Sequence, residues 1–228
     1  MLDAVLLEWD GVLADTAGAR RDALLRALAD EGAAITTAAY DACCAGLDVS
    51  ASAAAALARA GHDDPTLTEL VALRAHRAFV DQLEHGLTLM PGAAELVAAS
   101  QHRVRFAIVT RATRAETEAV LSIAGLQDSF AVVVAADDVR ASGAGPARYA
   151  LALAHLSRLR PTPPERAVAL VGTTAAIRDA RASGVRSLAV GAPAHVALEA
   201  DGAVDTLAGV GVAEIGALVG AGPTARSA

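Results

Sequence analysis

The chain has 228 residues and a formal net charge of −7, with 54% hydrophobic but only 3% aromatic residues. That length suits one domain, or one domain carrying a smaller insertion. The acidic balance argues against a basic nucleic-acid-binding face, and all 19 basic residues are arginine, which excludes any chemistry that needs a lysine ammonium.

The first element is Ala4–Leu7, a short apolar run that enters the polar turn Glu8-Trp9-Asp10-Gly11. Such a run, bounded by a Gly-containing turn, reads as a buried strand. It delivers two carboxylates, two residues apart, to its carboxyl end. In open α/β sheets ligands bind at that edge. Residues 17 to about 86 then show helical spacing without a strand-like run. Leu24, Leu25 and Leu28 share one helical face, and Gly32 ends that helix. Ala51–Ala60 is Ala-rich and helix-favouring. Thr66–Leu83 is a third helix, with Leu67, Leu70, Val71, Leu73 and Phe79 as its apolar members. Asp64-Pro65 forms its start. This segment reads as an all-helical insertion.

From Leu89 strands and helices alternate. Helices are expected at Ala93–Ser100, Arg114–Ala124, Ala147–Leu159, Ala175–Ser183 and Val212–Val219. Strands are expected at Arg105–Val109 (ending at Thr110), Ala131–Ala135 (ending at Asp137-Asp138), Ala167–Val171 (ending at Gly172) and Ser187–Val190, with a short last one at Ala203–Asp205. The alternation predicts an α/β fold, a doubly wound parallel sheet. Right-handed crossovers then bring Glu8, Asp10, Thr110, Asp137 and Gly172 to one edge.

The two cysteines, Cys43 and Cys44, are adjacent. Neighbouring cysteines rarely form a disulfide, and two alone make no metal site. A reduced, cytoplasmic setting is expected. The N-terminal run lacks a basic start and is interrupted by Asp3, Glu8 and Asp10, unlike a signal peptide. No uncharged apolar run reaches the roughly 18 residues of a membrane span. The histidines are scattered without metal-ligand spacing, and His195 reads as a surface-loop residue.

Taken together, Asp10-Gly11-Val12-Leu13, Asp15-Thr16, Thr110, Pro146, Tyr149 and the run Ile177–Gly184 resemble the haloacid dehalogenase-like (HAD) superfamily, in its phosphoglycolate phosphatase and β-phosphoglucomutase branch. The resemblance covers nearly the whole chain. It implies a Rossmann-like core of residues 1–16 and 89–220, a helical C1 cap of residues 17–88 and a flexible tail of residues 221–228. In that family the cap closes over the strand edge and selects the substrate. The family's first motif is D-x-D: the first Asp attacks phosphorus, and the second is general acid and base while its carbonyl binds Mg²⁺.

This sequence departs from that pattern at three centres. Glu8 stands at the nucleophile position, where its extra methylene moves the carboxylate by roughly 1–1.5 Å, and displacement on that scale can cost about 10²-fold in rate. The lysine that would offset transition-state charge falls on Gly143. Arg140 or Arg148 would be its nearest substitutes, but a planar fork does not replace a compact ammonium. Counting back without a gap, the acidic Mg²⁺ ligand falls on Gly172, and sliding by one residue puts it on Thr173; neither register supplies a carboxylate, and Mg²⁺ ordinarily takes one or two carboxylates plus substrate phosphate. Thr110 and Arg111 are the expected phosphate-binding residues.

The resemblance therefore implies a HAD-like hydrolase fold whose Glu8 and Asp10 are vestigial, a pseudo-phosphatase that binds a small anionic ligand or a protein partner. The alternative is an active phosphohydrolase on a small phosphate monoester, with Glu8 as nucleophile and Asp137 or Asp138 in the metal role. No cofactor is expected in the first case. In the second, Mg²⁺ would be held by Glu8 and Asp10. Neither nucleic acid nor membrane is an expected partner, and ligand identity and oligomeric state stay open.

Overall fold

Four continuous apolar runs and two three-residue edge strands build the sheet. The computed structural model describes residues 2–44, 46–142 and 148–220. Its strands are β1 (Ala4–Glu8), β2 (Arg105–Val109), β3 (Val132–Val134), β4 (Ala167–Val171), β5 (Arg186–Val190) and β6 (Gly202–Val204). All pair in parallel, in the order β3-β2-β1-β4-β5-β6. β4 is buried along its whole length, and β1 is buried up to Glu8. Burial on both faces is why these strands read as unbroken apolar runs.

The helices are α1 (Ala17–Asp30), α2 (Thr37–Cys43), α3 (Val49–Arg59), α4 (Pro65–Gly86), α5 (Ala93–Ser100), α6 (Arg114–Ile123), α7 (Ala136–Ser142), α8 (Arg148–Leu159), α9 (Thr174–Ala182), α10 (Ala194–Ala197) and α11 (Val212–Gly220). Among the described residues none is long and apolar enough to cross a membrane.

The chain divides into two compact units. One comprises Met1–Asp15, Thr88–Thr110 and the chain from Leu126 on; the other comprises Thr16–Leu87 and Arg111–Gly125. In the first unit Ala4 and Leu6 of β1 pack with Ala107, Val109, Ala169, Val171 and the α8 and α9 residues Tyr149, Leu156 and Ile177. In the second, Leu24, Leu28, Tyr40, Leu57 and Val71 form a separate core. Tail residues 221–228 lie outside the described residues.

The helical unit also holds a buried ion cluster. Thr113 caps α6: its Oγ1 accepts the Glu116 N–H at 3.2 Å, and the Glu116 carboxylate accepts the Thr113 N–H at 3.2 Å. This is a capping box. Glu116 is only 1% exposed, and Arg20 Nη1 of α1 donates to both its oxygens at 3.1 Å. His76 Nδ1 of α4 lies 3.8 Å from the same carboxylate, and the Arg20 guanidinium sits 4.5 Å above the Phe79 ring. Burial alone would raise the Glu116 carboxyl. The His76 hydrogen bond, the Arg20 charge and the Thr113 N–H outweigh it and hold the group at about 2.

Three expectations need correction. α2 and α7 are helices that periodicity does not announce, because seven residues are too few for an apolar stripe. The third strand stops at Val134, and Asp137 and Asp138 lie in the first turn of α7, where carboxylates complement the helix dipole. In α4 the buried face is Val71, Ala72, Ala75, Phe79 and Leu83, while Leu70 and Leu73 are 37% and 47% exposed. Alanines at helical spacing take the place assigned to those leucines.

Candidate active site

β1 lies at the point where the sheet's strand order reverses. Chain order runs outward through β2 and β3, then returns to β4 on the other side of β1. The crevice at such a switch point opens at the carboxyl ends of the two central strands. Glu8 ends β1, and Gly172 follows β4 directly.

Beyond Glu8 the chain turns back tightly. The Trp9 carbonyl accepts the Leu13 and Ala14 N–H groups at 3.1 and 3.2 Å, and Gly11 N–H donates to the Ala14 carbonyl at 2.9 Å. Gly11 sits at φ +76°, a left-handed conformation that explains the glycine. The Trp9 side chain is fully buried. Its Nε1–H donates to Asp10 Oδ1 at 2.8 Å, so the second carboxylate of the motif is held by its own neighbour. The sequence places Trp9 in the turn but carries no sign of this role.

The Glu8 carboxylate reaches across to the β4–α9 loop. Its Oε2 accepts the Gly172 N–H at 2.8 Å, and its Oε1 accepts the Thr173 hydroxyl at 3.2 Å. Thr173 is also the N-cap of α9, where its Oγ1 accepts the Ala176 N–H at 3.2 Å. One hydroxyl thus donates its single proton to Glu8 and uses a lone pair on the helix. The carboxylate charge lies near the helix N-terminus, where the dipole favours it. A Cβ placed on Gly172 would lie 3.9 Å from Glu8 Oε2, 3.9 Å from the Asp10 carbonyl oxygen and 3.9 Å from Val12 Cγ2. A side chain at position 172 would therefore border both groups at ordinary contact distance.

For Mg²⁺, whose usual set is one or two carboxylates with water and substrate phosphate, these residues offer the minimum. Gly172 brings no oxygen ligand from a side chain. The donor set reduces to the Asp10 carbonyl and one carboxylate, both of whose oxygens accept hydrogen bonds from the loop. Among the described residues no group of three His, Cys, Asp or Glu side chains could hold a metal ion.

The other expected site residues are dispersed. Thr110 ends β2, 3% exposed, one residue past Val109, the partner of Glu8 in register. Its N–H donates to the Val134 carbonyl at 2.9 Å. Arg111 belongs to the helical unit, where its Nη1 donates to the Gly46 carbonyl at 2.8 Å. Asp138 Oδ2 accepts the Ala135 N–H at 2.8 Å, and β3 lies two strands, about 10 Å, from β1. Arg148 pairs with Asp179 of α9 at 2.9 Å. His195 is exposed on the short helix α10. Gly143 and the Arg140 side chain lie outside the described residues.

A family model for haloacid dehalogenase-like hydrolases matches residues 2–186. The chain belongs to that family. Among solved structures, CbbY from Rhodobacter sphaeroides in complex with phosphate is 26% identical, with a TM-score of 0.78 over 94% of this chain and 99% of that one. β-Phosphoglucomutase (pgmB) from Clostridium difficile superposes with a TM-score of 0.79 at 17% identity, over 96% of this chain and 98% of that one. The HAD-hydrolase YfnB from Bacillus subtilis, bound to magnesium, gives a TM-score of 0.68 at 16% identity, over 90% and 95%. No curated protein matches the chain. The HAD fold accounts for the parallel sheet.

Proposed function

We propose that this HAD-family protein is a pseudo-phosphatase, a hydrolase fold relieved of phosphoryl transfer that acts by binding a small anionic ligand or a protein partner. The observation that carries the reading is the latch at Glu8. In-line attack needs a carboxylate oxygen aimed at phosphorus within about 3–3.5 Å. Here one oxygen accepts the Gly172 N–H and the other the Thr173 hydroxyl. The longer side chain takes up donors beside the position where the family places a second acid.

Two further features support the reading. The distal acid position is glycine, and no lysine exists anywhere in the chain to offset charge at a transferring phosphoryl group. Asp10 keeps its carboxylate, but a proton donor alone does not replace the nucleophile, lysine and metal that share the work of the reaction. Thr110, the residue after β2, matches the family's phosphate-holding Thr or Ser, which is why an anionic ligand is the first class proposed.

The test is an assay of the purified protein on a panel of phosphate monoesters with Mg²⁺, beside Glu8→Ala. The expected result is no turnover above background in either. Turnover that disappears in Glu8→Ala would overturn the proposal and establish Glu8 as a working carboxylate. A restorative variant, Glu8→Asp with Gly143→Lys and Gly172→Asp, is expected to gain measurable phosphatase activity. A folded but inert triple variant would count against assigning Gly143 and Gly172 to those positions.

A further inference from the structure

Cys43 and Cys44 close α2. Cys43 is its last residue and Cys44 its C-cap, at φ −114° and ψ −21°. Consecutive side chains on a regular helix diverge by about 100°. The departure from helical geometry at Cys44 instead brings the two Sγ atoms to 3.5 Å. Both are free thiols. They are placed unequally. Cys43 is half-buried, whereas Cys44 is 1% exposed. Cys44 Sγ donates to the Ser52 carbonyl at 3.5 Å, and the buried Ser52 hydroxyl donates back to the Cys44 carbonyl at 3.4 Å. Burial, with the neighbouring Cys43 thiol adding to it, pushes the Cys44 thiol up to about 12, so it stays protonated. Cys43 is the sulfur that meets a solvent-borne oxidant first, with Cys44 behind it at contact distance.

We propose that Cys43 and Cys44 form a redox site that a peroxide converts from the resting dithiol to a vicinal disulfide. The Cys43 thiolate attacks one peroxide oxygen: an S–O bond forms, the O–O bond breaks, and the departing hydroxide takes a proton and leaves as water. Cys44 sulfur then attacks the Cys43 sulfenic sulfur. The S–S bond forms, the S–O bond breaks, and the Cys44 proton leaves with that oxygen as a second water. Two thiols are oxidised by two electrons, and one peroxide is reduced to two waters.

Adjacent Cα atoms lie about 3.8 Å apart across a trans peptide, below the span of an ordinary disulfide, so the ring is strained and easily reduced. This agrees with the dithiol as the resting state and makes the bond reversible. The contraction falls on the backbone at Cys44. Its N–H donates to the Tyr40 carbonyl at 2.8 Å, and its carbonyl accepts the Leu47 N–H at 3.0 Å. Two residues on, the Gly46 carbonyl holds Arg111, the residue that follows Thr110. Oxidation therefore strains the segment that anchors Arg111.

The experiment exposes the full-length protein to hydrogen peroxide, blocks remaining thiols with N-ethylmaleimide and measures the mass of the peptide carrying both cysteines. The expected result is a loss of two hydrogens with loss of both alkylation sites, and recovery of both by dithiothreitol. Cys44→Ser should stop at a sulfenic acid trapped by dimedone, and Cys43→Ser should resist oxidation. Three results each overturn the proposal in the wild-type protein: sulfinic acid at Cys43 with Cys44 still alkylated, a disulfide-linked dimer on a non-reducing gel, or two intact thiols after treatment.

Discussion

Glu8 and Glu116 are both carboxylates held by several donors, but the donors differ in kind. Glu116, sealed inside the helical unit, is held by charge: the Arg20 guanidinium, with His76 beside it. Glu8, at the end of β1, accepts a backbone N–H and a hydroxyl from the β4–α9 loop. The helical unit has kept a complete charged network. The strand edge, where the family's reaction needs an attacking carboxylate, an ammonium and a distal acid, presents glycine at the acid's position and has no lysine available to it.

The largest test of that contrast is on stability. Glu116→Ala leaves Arg20, 13% exposed, without its carboxylate, and breaking a buried pair on one side costs about 3–5 kcal/mol. Glu8→Ala should cost about 1 kcal/mol, since its neutral donors lie at a partly open edge where water can replace the carboxylate. Urea denaturation of the two variants measures both. Equal losses would erase the distinction between a charged core cluster and a neutral latch.

Acidification tests the same cluster. The Glu116 carboxyl is lowered from 4.5 to about 2. A carboxyl depressed in the folded state contributes stability that is present above its unfolded value and is lost as pH falls toward its folded value. The contribution is about 3 kcal/mol, lost between about pH 5 and pH 2. Denaturation midpoints across that range should fall in the wild-type protein and fall less in Glu116→Gln.

A smaller effect probes the latch itself. Gly172→Ala should change stability by less than about 0.5 kcal/mol, because the added Cβ meets its neighbours at 3.9 Å. Gly172→Asp sets a second carboxylate beside Glu8 and should cost about 1–2 kcal/mol through like-charge repulsion. Adding Glu8→Asp withdraws the first carboxylate and should recover part of that cost. A double-mutant cycle by chemical denaturation measures the coupling. Strict additivity would mean that the two positions do not share one space.

Much of the sheet is legible in the sequence. Apolar runs at Ala4–Leu7, Arg105–Val109 and Ala167–Val171 agree with the observed strands within a residue, because burial on both faces leaves no room for polar interruption. The short helices α2 and α7 are not legible from periodicity, since seven residues do not complete a stripe. Their polar starts were the available signal: Thr36 accepts the Ala39 N–H, and Asp137 and Asp138 sit in the first turn of α7. Thr113 and Glu116 fit the capping-box spacing and could have been read as such, but the bond from Arg20 spans 96 residues and depends on helix packing. The site divides likewise. The Glu8, Asp10 and Gly172 positions follow from motif spacing. That the Glu8 carboxylate bonds to Gly172 and Thr173, and that the Trp9 indole holds Asp10, are tertiary facts with no local pattern.

The central claim is that the Glu8 carboxylate latches the β4–α9 loop where the family would assemble a metal-dependent nucleophile. Calorimetric titration of Mg²⁺ into the wild-type protein, and into Glu8→Asp with Gly172→Asp, tests it most directly. The wild-type protein should show no saturable binding, and the double variant saturable one-site binding. Saturable one-site Mg²⁺ binding to the wild-type protein that is lost in Glu8→Ala would contradict it.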